Sequence, residues 1–301
     1  MDDLVQKIKK LLKEKDAVLL AHNYQISEVQ VIADHIGDSL ELSKLASDVK
    51  NSTIVFAGVK FMAETAKILS PEKKVLLPRL DAGCPMADMI TVEELRWMKE
   101  KHPDAKVVTY VNSGADIKAE SDACCTSSNA PQVVANIDAD EVIFVPDRNL
   151  GSFVQSKVPG KKIILFEGYC YVHNRIRKDE IEEMKRLHPD AEVIVHPEVR
   201  SEVVELADEV LSTSGILRYA SGAEVNEFIV ATEEGLLDRM RRENPGKIFY
   251  PALRPKVCQN MKRTSVEDIY LSLVHNRYEI EIDEEVAKKA LRSLNEMLKY
   301  T

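Results

Sequence analysis

The sequence repeats itself three times, and this repeat restricts the possible folds more than any other feature of the chain. The segment His102–Ala105 recurs 86 residues later as His188–Ala191, and an apolar run with β-branched residues follows each copy. A first copy fits at a shift of 88 residues, where Asp16 and Ala17 precede the run Val18–His22. Similarity at a fixed period indicates one supersecondary unit that is repeated along the chain.

The later half of each copy contains two further strand-like runs, and the last run leads to one cysteine. These cysteines are Cys84, Cys170 and Cys258, at spacings of 86 and 88 residues. Helical spacing of apolar residues begins eight positions after each of them, at Val92, Lys178 and Val266. Helical stretches are also predicted between the strands, including Glu28–Val49 and Val199–Leu211. Each unit therefore reads helix–strand–helix–strand–helix–strand–cysteine.

This alternation predicts an α/β fold of three homologous three-layer α/β/α units, with parallel sheets around a pseudo-threefold axis. We expect the units to cover residues 1–84, 85–170 and 171–258, and the C-terminal segment 259–301, which ends in a helix over 284–298, to pack on the first unit. Ligands of open parallel sheets bind outside the carboxyl ends of the strands. Equivalent residues of the three units are therefore expected to meet at the centre.

Composition excludes several classes of function. The chain has 301 residues, of which 45% are hydrophobic and 30% charged, and a net charge of −9, so it is a poor candidate for binding nucleic acid or anionic membranes. No apolar run approaches the roughly 18 residues of a membrane span, and the N-terminus does not resemble a secretory signal. We therefore expect a cytoplasmic protein with reduced thiols. Five cysteines without a CxxC pair disfavour a disulfide framework, a zinc ribbon or a zinc finger.

Polar residues occupy equivalent positions just after the first strand of each unit. Residues two apart on a strand share one face, and hydroxyls near loops are good partners for carboxylates and phosphates. Three sets of residues align in this way: His22, Tyr110 and His196; Tyr24, Asn112 and Glu198; and Ser39, Ser127 and Thr213. The centre of the fold is thus predicted to concentrate acid–base groups.

The three repeated cysteines predict a metal site at the same centre. Three thiolates without a fixed fourth ligand suit a catalytic zinc with an open position or an iron–sulfur cluster with one open iron, and the spacing does not separate the two. Cys124 and Cys125 lack cysteine counterparts in the other units and are interpreted as small buried apolar residues.

A set of short segments spread over nearly the whole chain is highly specific, although none of them is specific alone. They are Ala21–Gln25, Gly37–Leu40, Phe56–Gly58, Phe61–Glu64, Gly83–Ala87, Tyr110–Ser113, Pro146–Leu150, Gly168–His173, Val195–Glu198, Cys258 and Met261–Lys262. Through these segments the chain resembles the quinolinate synthase family, which catalyses the second step of the de novo route to NAD.

The resemblance implies a [4Fe–4S] cluster held by Cys84, Cys170 and Cys258, with one iron open to substrate as a Lewis acid. It implies condensation of iminoaspartate with dihydroxyacetone phosphate to quinolinate, phosphate and water, with the iminoaspartate supplied by an aspartate-oxidising enzyme. By motif position, the implied active-site residues are His22, Tyr24, Ser39, Tyr110, Asn112, Ser127, His196, Glu198, Ser212 and Thr213.

We assign catalytic roles to Tyr24, Tyr110, His196 and Glu198, with Glu198 as the base and the tyrosines as proton donors or positioning groups. An enclosed carboxylate is expected to have a raised pKa, which suits proton transfer near neutral pH. Substrate binding is assigned to the remaining residues, which are His22, Ser39, Asn112, Ser127, Ser212 and Thr213.

Two other classes of protein share some of these features. A zinc hydrolase with three cysteine ligands would be colourless and insensitive to oxygen. A non-catalytic iron–sulfur sensor would carry a cluster without the polar sets, and would normally have a DNA-binding or partner-binding module. The chain has no basic helix-turn-helix signature, so the sensor ranks last.

Overall fold

The fold is taken from a computed structural model, which describes residues 2–300. Within these residues the strands form three separate parallel sheets of four strands, and each sheet has the same strand order, second–first–third–fourth. The first sheet contains β1 (Ala17–His22), β2 (His35–Gly37), β3 (Thr53–Ala57) and β4 (Lys74–Leu76). The second contains β5 (Lys106–Tyr110), β6 (Ala123–Cys125), β7 (Glu141–Val145) and β8 (Lys162–Leu165). The third contains β9 (Glu192–Val195), β10 (Glu209–Val210), β11 (Glu227–Ala231) and β12 (Ile248–Pro251).

Helices alternate with these strands, as the predicted α/β fold of repeated three-layer units requires. The first unit contains α1 (Asp2–Glu14), α2 (Ser27–Ile32), α3 (Ser39–Asp48) and α4 (Lys60–Leu69). The second contains α5 (Val92–Lys101), α6 (Ala115–Ala119), α7 (Ala130–Asn136) and α8 (Arg148–Lys157). The third contains α9 (Lys178–Leu187), α10 (Ser201–Val204), α11 (Thr213–Gly222) and α12 (Glu234–Glu243), and the chain ends with α13 (Val266–His275) and α14 (Glu284–Leu298). No helix among residues 2–300 is long and apolar enough to cross a membrane.

The predicted starts of the helices that follow each cysteine are confirmed, because α5, α9 and α13 begin at Val92, Lys178 and Val266. Two of these starts are fixed by capping boxes. The Thr91 hydroxyl accepts from the Glu94 backbone N–H, and Ser265 does the same with Asp268. Each capping residue satisfies backbone donors that have no partner inside the helix.

The prediction of three strands in each unit is wrong, because every sheet has a fourth, short edge strand. Residues 28–49, predicted as helix, contain β2 between α2 and α3, and residues 199–211 contain β10 after α10. The edge strands are two or three residues long. A segment this short has no periodicity of its own, so only pairing with the first strand of its unit defines it.

The two faces of each sheet belong to different cores. In β1, Val18 and Leu20 pack into one large core shared by all three units, whereas Leu19 and Ala21 pack into a smaller core with α1 and α13. Strand side chains alternate between faces, so every second residue points toward the shared core. The second and third sheets follow the same rule with smaller cores of their own.

The C-terminal segment contacts two units. α13 packs on α1 and β3 of the first unit, while α14 packs mainly on α6 and β6 of the second unit and also on α4 of the first. The α14 helix therefore lies against the second unit as well as the first. The boundaries at 84, 170 and 258 stay a prediction.

Candidate active site

The first strand of each unit ends in a polar side chain that faces the shared core. In β1, His22 continues the inward face of Val18 and Leu20, because alternation places it on the same side. Tyr110 in β5 and His196 just after β9 occupy the equivalent positions. All three are buried and line one cavity.

The residues two positions further along line the same cavity. These are Tyr24, Asn112 and Glu198, one from each unit. The side-chain oxygen of Asn112 is buried and has no hydrogen-bond partner among the described residues. An unsatisfied buried acceptor is costly, so this oxygen is available to a bound molecule that carries a donor.

His22 and His196 are held in the same tautomer by the same local turn. The backbone N–H of Tyr24 donates to Nδ1 of His22 (3.1 Å), and that of Glu198 donates to Nδ1 of His196 (3.4 Å). A neutral imidazole whose Nδ1 accepts carries its proton on Nε2. His196 Nε2 therefore donates to the Ser127 hydroxyl, 3.2 Å away in the second unit.

Both histidines are expected to make the metal-free protein sensitive to acid. Burial lowers the pKa of His22 and of His196 to about 3. Below pH ~6.5 the two imidazoles become protonated in the unfolded chain, whereas in the folded protein they stay neutral. The free energy of unfolding therefore falls as the pH drops from about 6.5 toward 3, by about 1.4 kcal/mol per pH unit for each histidine.

Urea unfolding of the metal-free protein between pH 7 and pH 5 measures this dependence. We expect the free energy of unfolding of the His196→Asn variant to depend less steeply on pH than that of wild type, because one of the two buried histidines is missing. The difference in slope should correspond to about one proton. The His275→Asn variant, at an exposed position outside the cavity, serves as the matched control for replacing a histidine. Equal slopes for wild type and His196→Asn would contradict the prediction.

A continuous chain of hydrogen bonds runs through the centre of the cavity. Tyr110 donates its hydroxyl proton to one oxygen of Glu198 (2.6 Å), and Nδ1 of His173 donates to the other oxygen (2.7 Å). Nε2 of His173 lies 2.9 Å from the Thr232 hydroxyl, which lies 2.8 Å from the Tyr24 hydroxyl. With a neutral His173, Tyr24 donates to Thr232 and Thr232 donates to the imidazole, so a basic nitrogen is connected to the Tyr24 phenol.

The sequence predicted a raised pKa for Glu198, and the structure corrects this expectation. Burial acts to raise the pKa of Glu198, but the interaction with the adjacent His173 imidazole and the Tyr110 hydrogen bond outweigh it and hold this pKa below its usual range. Glu198 is therefore an ionised acceptor at neutral pH. Burial and the charge of Glu198 raise the pKa values of Tyr24 and Tyr110 well above normal, so both phenols keep their protons.

Hydroxyl side chains near three helix N-termini form another part of the cavity wall. Ser39 is the first residue of α3, Thr213 is the first residue of α11, and Ser127 lies shortly before α7. Helix N-termini present free N–H groups and a partial positive charge, which favour carboxylates and phosphates. Thr213 also lies 3.1 Å from the Tyr24 hydroxyl.

Ser212 is the one predicted site residue that does not line this cavity. Its hydroxyl accepts from the Gly215 backbone N–H as the N-cap of α11, and it lies 2.9 Å from the Ser128 hydroxyl. Ser212 thus fixes the helix end that presents Thr213.

The three repeated cysteines sit in equivalent turns on the same cavity. In each turn the backbone N–H three residues later donates to the cysteine sulfur: Ala87 to Cys84, His173 to Cys170 and Met261 to Cys258. Hydrogen bonds to sulfur are a feature of iron–sulfur sites. Burial raises the pKa of all three thiols, that of Cys84 to about 12, so a bound cation is what would hold them as thiolates.

The three cysteine sulfurs do not form one compact group. Among residues 2–300, the three cysteine sulfurs are not all within 4.8 Å of one another. A tetrahedral zinc bound at about 2.3 Å would hold its thiolate ligands about 3.8 Å apart. A second group, Cys170, His173 and Glu198, does lie within 4.8 Å, but His173 and Glu198 are already bonded to each other.

Several residues of the site were not assigned from the sequence. His173 and Thr232 complete the hydrogen-bond chain, and Asp147 and Glu233 contact the cysteine turns. His173 lies three residues after Cys170, but no histidine occupies this position in the other units. Asp147 and Glu233 are 86 residues apart, so the repeat spacing could have found these two carboxylates.

Known proteins resemble this chain over nearly its whole length. A family model described as "NadA: Quinolinate synthetase A protein" matches residues 6–299. The chain is 52% identical over 294 residues to quinolinate synthase of Thermodesulfovibrio yellowstonii, covering 98% of this chain and 97% of that one. It is 54% identical over 295 residues to quinolinate synthase 2 of Methanosarcina acetivorans, covering 98% and 95%. With a match of this identity over almost its full length, the chain belongs to the quinolinate synthase family.

Proposed function

We propose that this enzyme condenses iminoaspartate with dihydroxyacetone phosphate and releases quinolinate, phosphate and water. The observation that carries the proposal is one buried cavity in which all three units meet, lined by three cysteines, three tyrosines, three histidines and two glutamates. Both substrates are anionic and carry carbonyl or imine groups, and their condensation needs positioned anion sites and groups that move protons.

The cofactor in this proposal is a [4Fe–4S] cluster bound by Cys84, Cys170 and Cys258. Three thiolates leave one iron without a protein ligand, and such an iron acts as a Lewis acid that polarises a substrate oxygen and helps hydroxide leave. The N–H···S bonds in all three turns support this assignment, and so do three sulfurs that do not all lie within 4.8 Å of one another.

Substrate anions are proposed to bind at the helix N-termini. Ser39, Ser127 and Thr213 offer hydroxyls at or shortly before the starts of three helices, where the helix dipole favours anions. His22 and His196 are neutral and carry their protons on Nε2, so they donate hydrogen bonds without adding charge. Asn112 adds its unpaired oxygen as an acceptor.

Proton transfer is proposed to use the connected groups rather than Glu198 alone. Glu198 orients His173 and stabilises its protonated form, as the carboxylate does in a catalytic triad. When Tyr24 donates its proton to a substrate, the protonated His173 is able to replace that proton through Thr232. Tyr110, which keeps its proton, serves as a donor or positioning group beside Glu198.

The remaining parts of the proposal concern the enzyme's surroundings. An aspartate-oxidising enzyme would supply the iminoaspartate, because this imine hydrolyses and has to be made where it is used. The reaction joins carbon atoms of two substrates and is of the transferase type. We also propose a cytoplasmic location, since free cysteine ligands and an exposed iron require a reducing compartment.

An anaerobic reconstitution tests the cofactor directly. We expect protein loaded with iron and sulfide to be brown, to contain about four irons per chain, and to form quinolinate from the two substrates. Exposure to air should bleach the colour and remove the activity, because an iron without a protein ligand is open to oxygen, and renewed reconstitution should restore both. Protein that is active in air, colourless and loaded with zinc would contradict the proposal.

A further inference from the structure

Two fully buried carboxylates, Asp147 and Glu233, hold the backbones of two of the three cysteines. An oxygen of Asp147 accepts from the Cys170 N–H at 3.0 Å, and an oxygen of Glu233 accepts from the Cys258 N–H at 3.0 Å. Both carboxylates are 0% exposed. They come from the same position of the second and third units, directly before α8 and α12.

The second oxygen of each carboxylate is fixed to a helix start. The Leu150 N–H donates to Asp147 (2.8 Å) at the start of α8, and the Gly235 N–H donates to Glu233 (2.7 Å) at the start of α12. Each side chain thus joins the N-terminus of a helix to one cysteine turn. A buried carboxylate with both oxygens bonded has little freedom, so it also restricts the cysteine.

The first unit builds the same turn without a carboxylate. The equivalent residue is Val59, directly before α4. The next residue, Lys60, donates its backbone N–H to the Ala82 carbonyl. The same backbone bond joins Arg148 to Gly168 in the second unit and Glu234 to Lys256 in the third. The main-chain path therefore does not require a carboxylate at this position. Its presence near Cys170 and Cys258 calls for a reason other than folding.

A different repeat position carries a carboxylate with a structural role in every unit. The residues there are Asp34, Asp122 and Asp208, and each accepts from a backbone N–H of the first strand of its unit at 2.8 Å. A carboxylate that the repeat needs is therefore present three times. The carboxylate at the cysteine turns is present only twice.

We propose that Asp147 and Glu233 are positioning residues for the iron–sulfur cluster, which they stabilise by orienting the Cys170 and Cys258 ligands. This inference rests on the proposed function. Partners behind metal ligands typically change metal affinity about 10–100-fold when they are removed. The Cys84 ligand, which has no such support, is the least constrained of the three.

Cluster release from the reconstituted enzyme tests the inference. We expect Asp147→Asn and Glu233→Gln to lose the cluster to an iron chelator about 10–100-fold faster than wild type, followed anaerobically by the visible spectrum. We also expect an altered EPR spectrum of the reduced cluster in both variants, because the ligand orientation changes. A general loss of stability would not alter that spectrum.

Asp122→Asn is the matched control, because it removes the carboxylate of a bond to the backbone at the start of β5, at the opposite end of that strand from the cavity with the three cluster cysteines. It should lower the melting temperature but keep the release rate and the EPR spectrum of wild type. Lys262→Gln controls for the ion pair of Glu233, since Lys262 lies 3.0 Å from that carboxylate. It should release the cluster at nearly the wild-type rate.

The possible outcomes separate this inference from the proposed function. Wild-type protein that takes up no iron and sulfide contradicts the proposed function. If the wild type holds the cluster and both carboxylate variants release it at the wild-type rate, the inference is overturned but the proposed function is not. The same conclusion follows if Asp122→Asn releases the cluster as fast as the two carboxylate variants. If Asp147→Asn does not fold, the release rate of Glu233→Gln alone tests the inference. A Lys262→Gln variant that releases the cluster as fast as Glu233→Gln contradicts the inference.

Discussion

Replacing Cys84, Cys170 or Cys258 with serine is expected to remove the iron–sulfur cluster and reduce quinolinate formation to background. With three protein ligands and one open iron, the loss of any ligand leaves a second iron without support. The three sulfurs line one cavity and accept equivalent backbone hydrogen bonds, so the three variants should behave alike. Iron and sulfide analysis after anaerobic reconstitution, together with a quinolinate assay, measures both effects.

The other two cysteines provide matched controls within the same chain. Cys124 and Cys125 are 0% exposed on β6, and Cys124 lies 3.3 Å from the Ser293 hydroxyl of α14. Cys124→Ser and Cys125→Ala should lower the melting temperature and leave cluster content and activity intact. A Cys124→Ser protein without a cluster, beside a Cys84→Ser protein that keeps one, would show that the repeat register identified the wrong cysteines.

The arrangement of the site follows from the repeat because strand periodicity and register are local rules. Once Val18 and Leu20 are assigned to the inward face of β1, His22 must share that face. The same reasoning applies to Tyr110 and His196, so the sequence predicts that the three units place these residues together. The structure places all three in one cavity.

Features that depend on contacts between units were not predictable in this way. His173 is defined as part of the site by Glu198 and Thr232, which come from other segments. The resemblance covers His173 through the segment Gly168–His173 but gave it no role. The lowered pKa of Glu198 also depends on contacts with residues from other segments. Burial alone predicts a rise, and only the position of His173 and Tyr110 reverses its sign.

Ser212 shows the limit of transferring a motif without the structure. The residue lies beside Thr213 in sequence, but helical geometry sends neighbouring side chains in different directions. Thr213 faces the cavity and the Tyr24 hydroxyl, whereas Ser212 caps α11. A Ser212→Ala variant should therefore affect activity only through the position of the helix end.

Replacing Glu198 with glutamine is expected to reduce turnover about 10²–10⁴-fold, the usual contribution of general acid–base catalysis. Glutamine keeps the shape of the side chain and accepts from Tyr110, but it carries no charge to stabilise a protonated His173. The protein should therefore fold, keep its cluster and bind substrate with little change. Quinolinate assays give kcat and KM, and the visible spectrum and iron content report the cluster.

A double-variant experiment shows whether Glu198 acts through His173. Because the two groups are 2.7 Å apart in one hydrogen-bonded chain, His173→Asn should reduce kcat by a similar factor, and adding it to Glu198→Gln should cause little further loss. Glu192→Gln, at the opposite end of β9, is the matched control and should keep normal turnover, since Glu192 accepts from Tyr219 (2.9 Å) outside the cavity. Near-normal turnover of Glu198→Gln with an intact cluster would remove Glu198 from the mechanism. Losses that multiply in the double variant would mean that Glu198 and His173 act in separate steps.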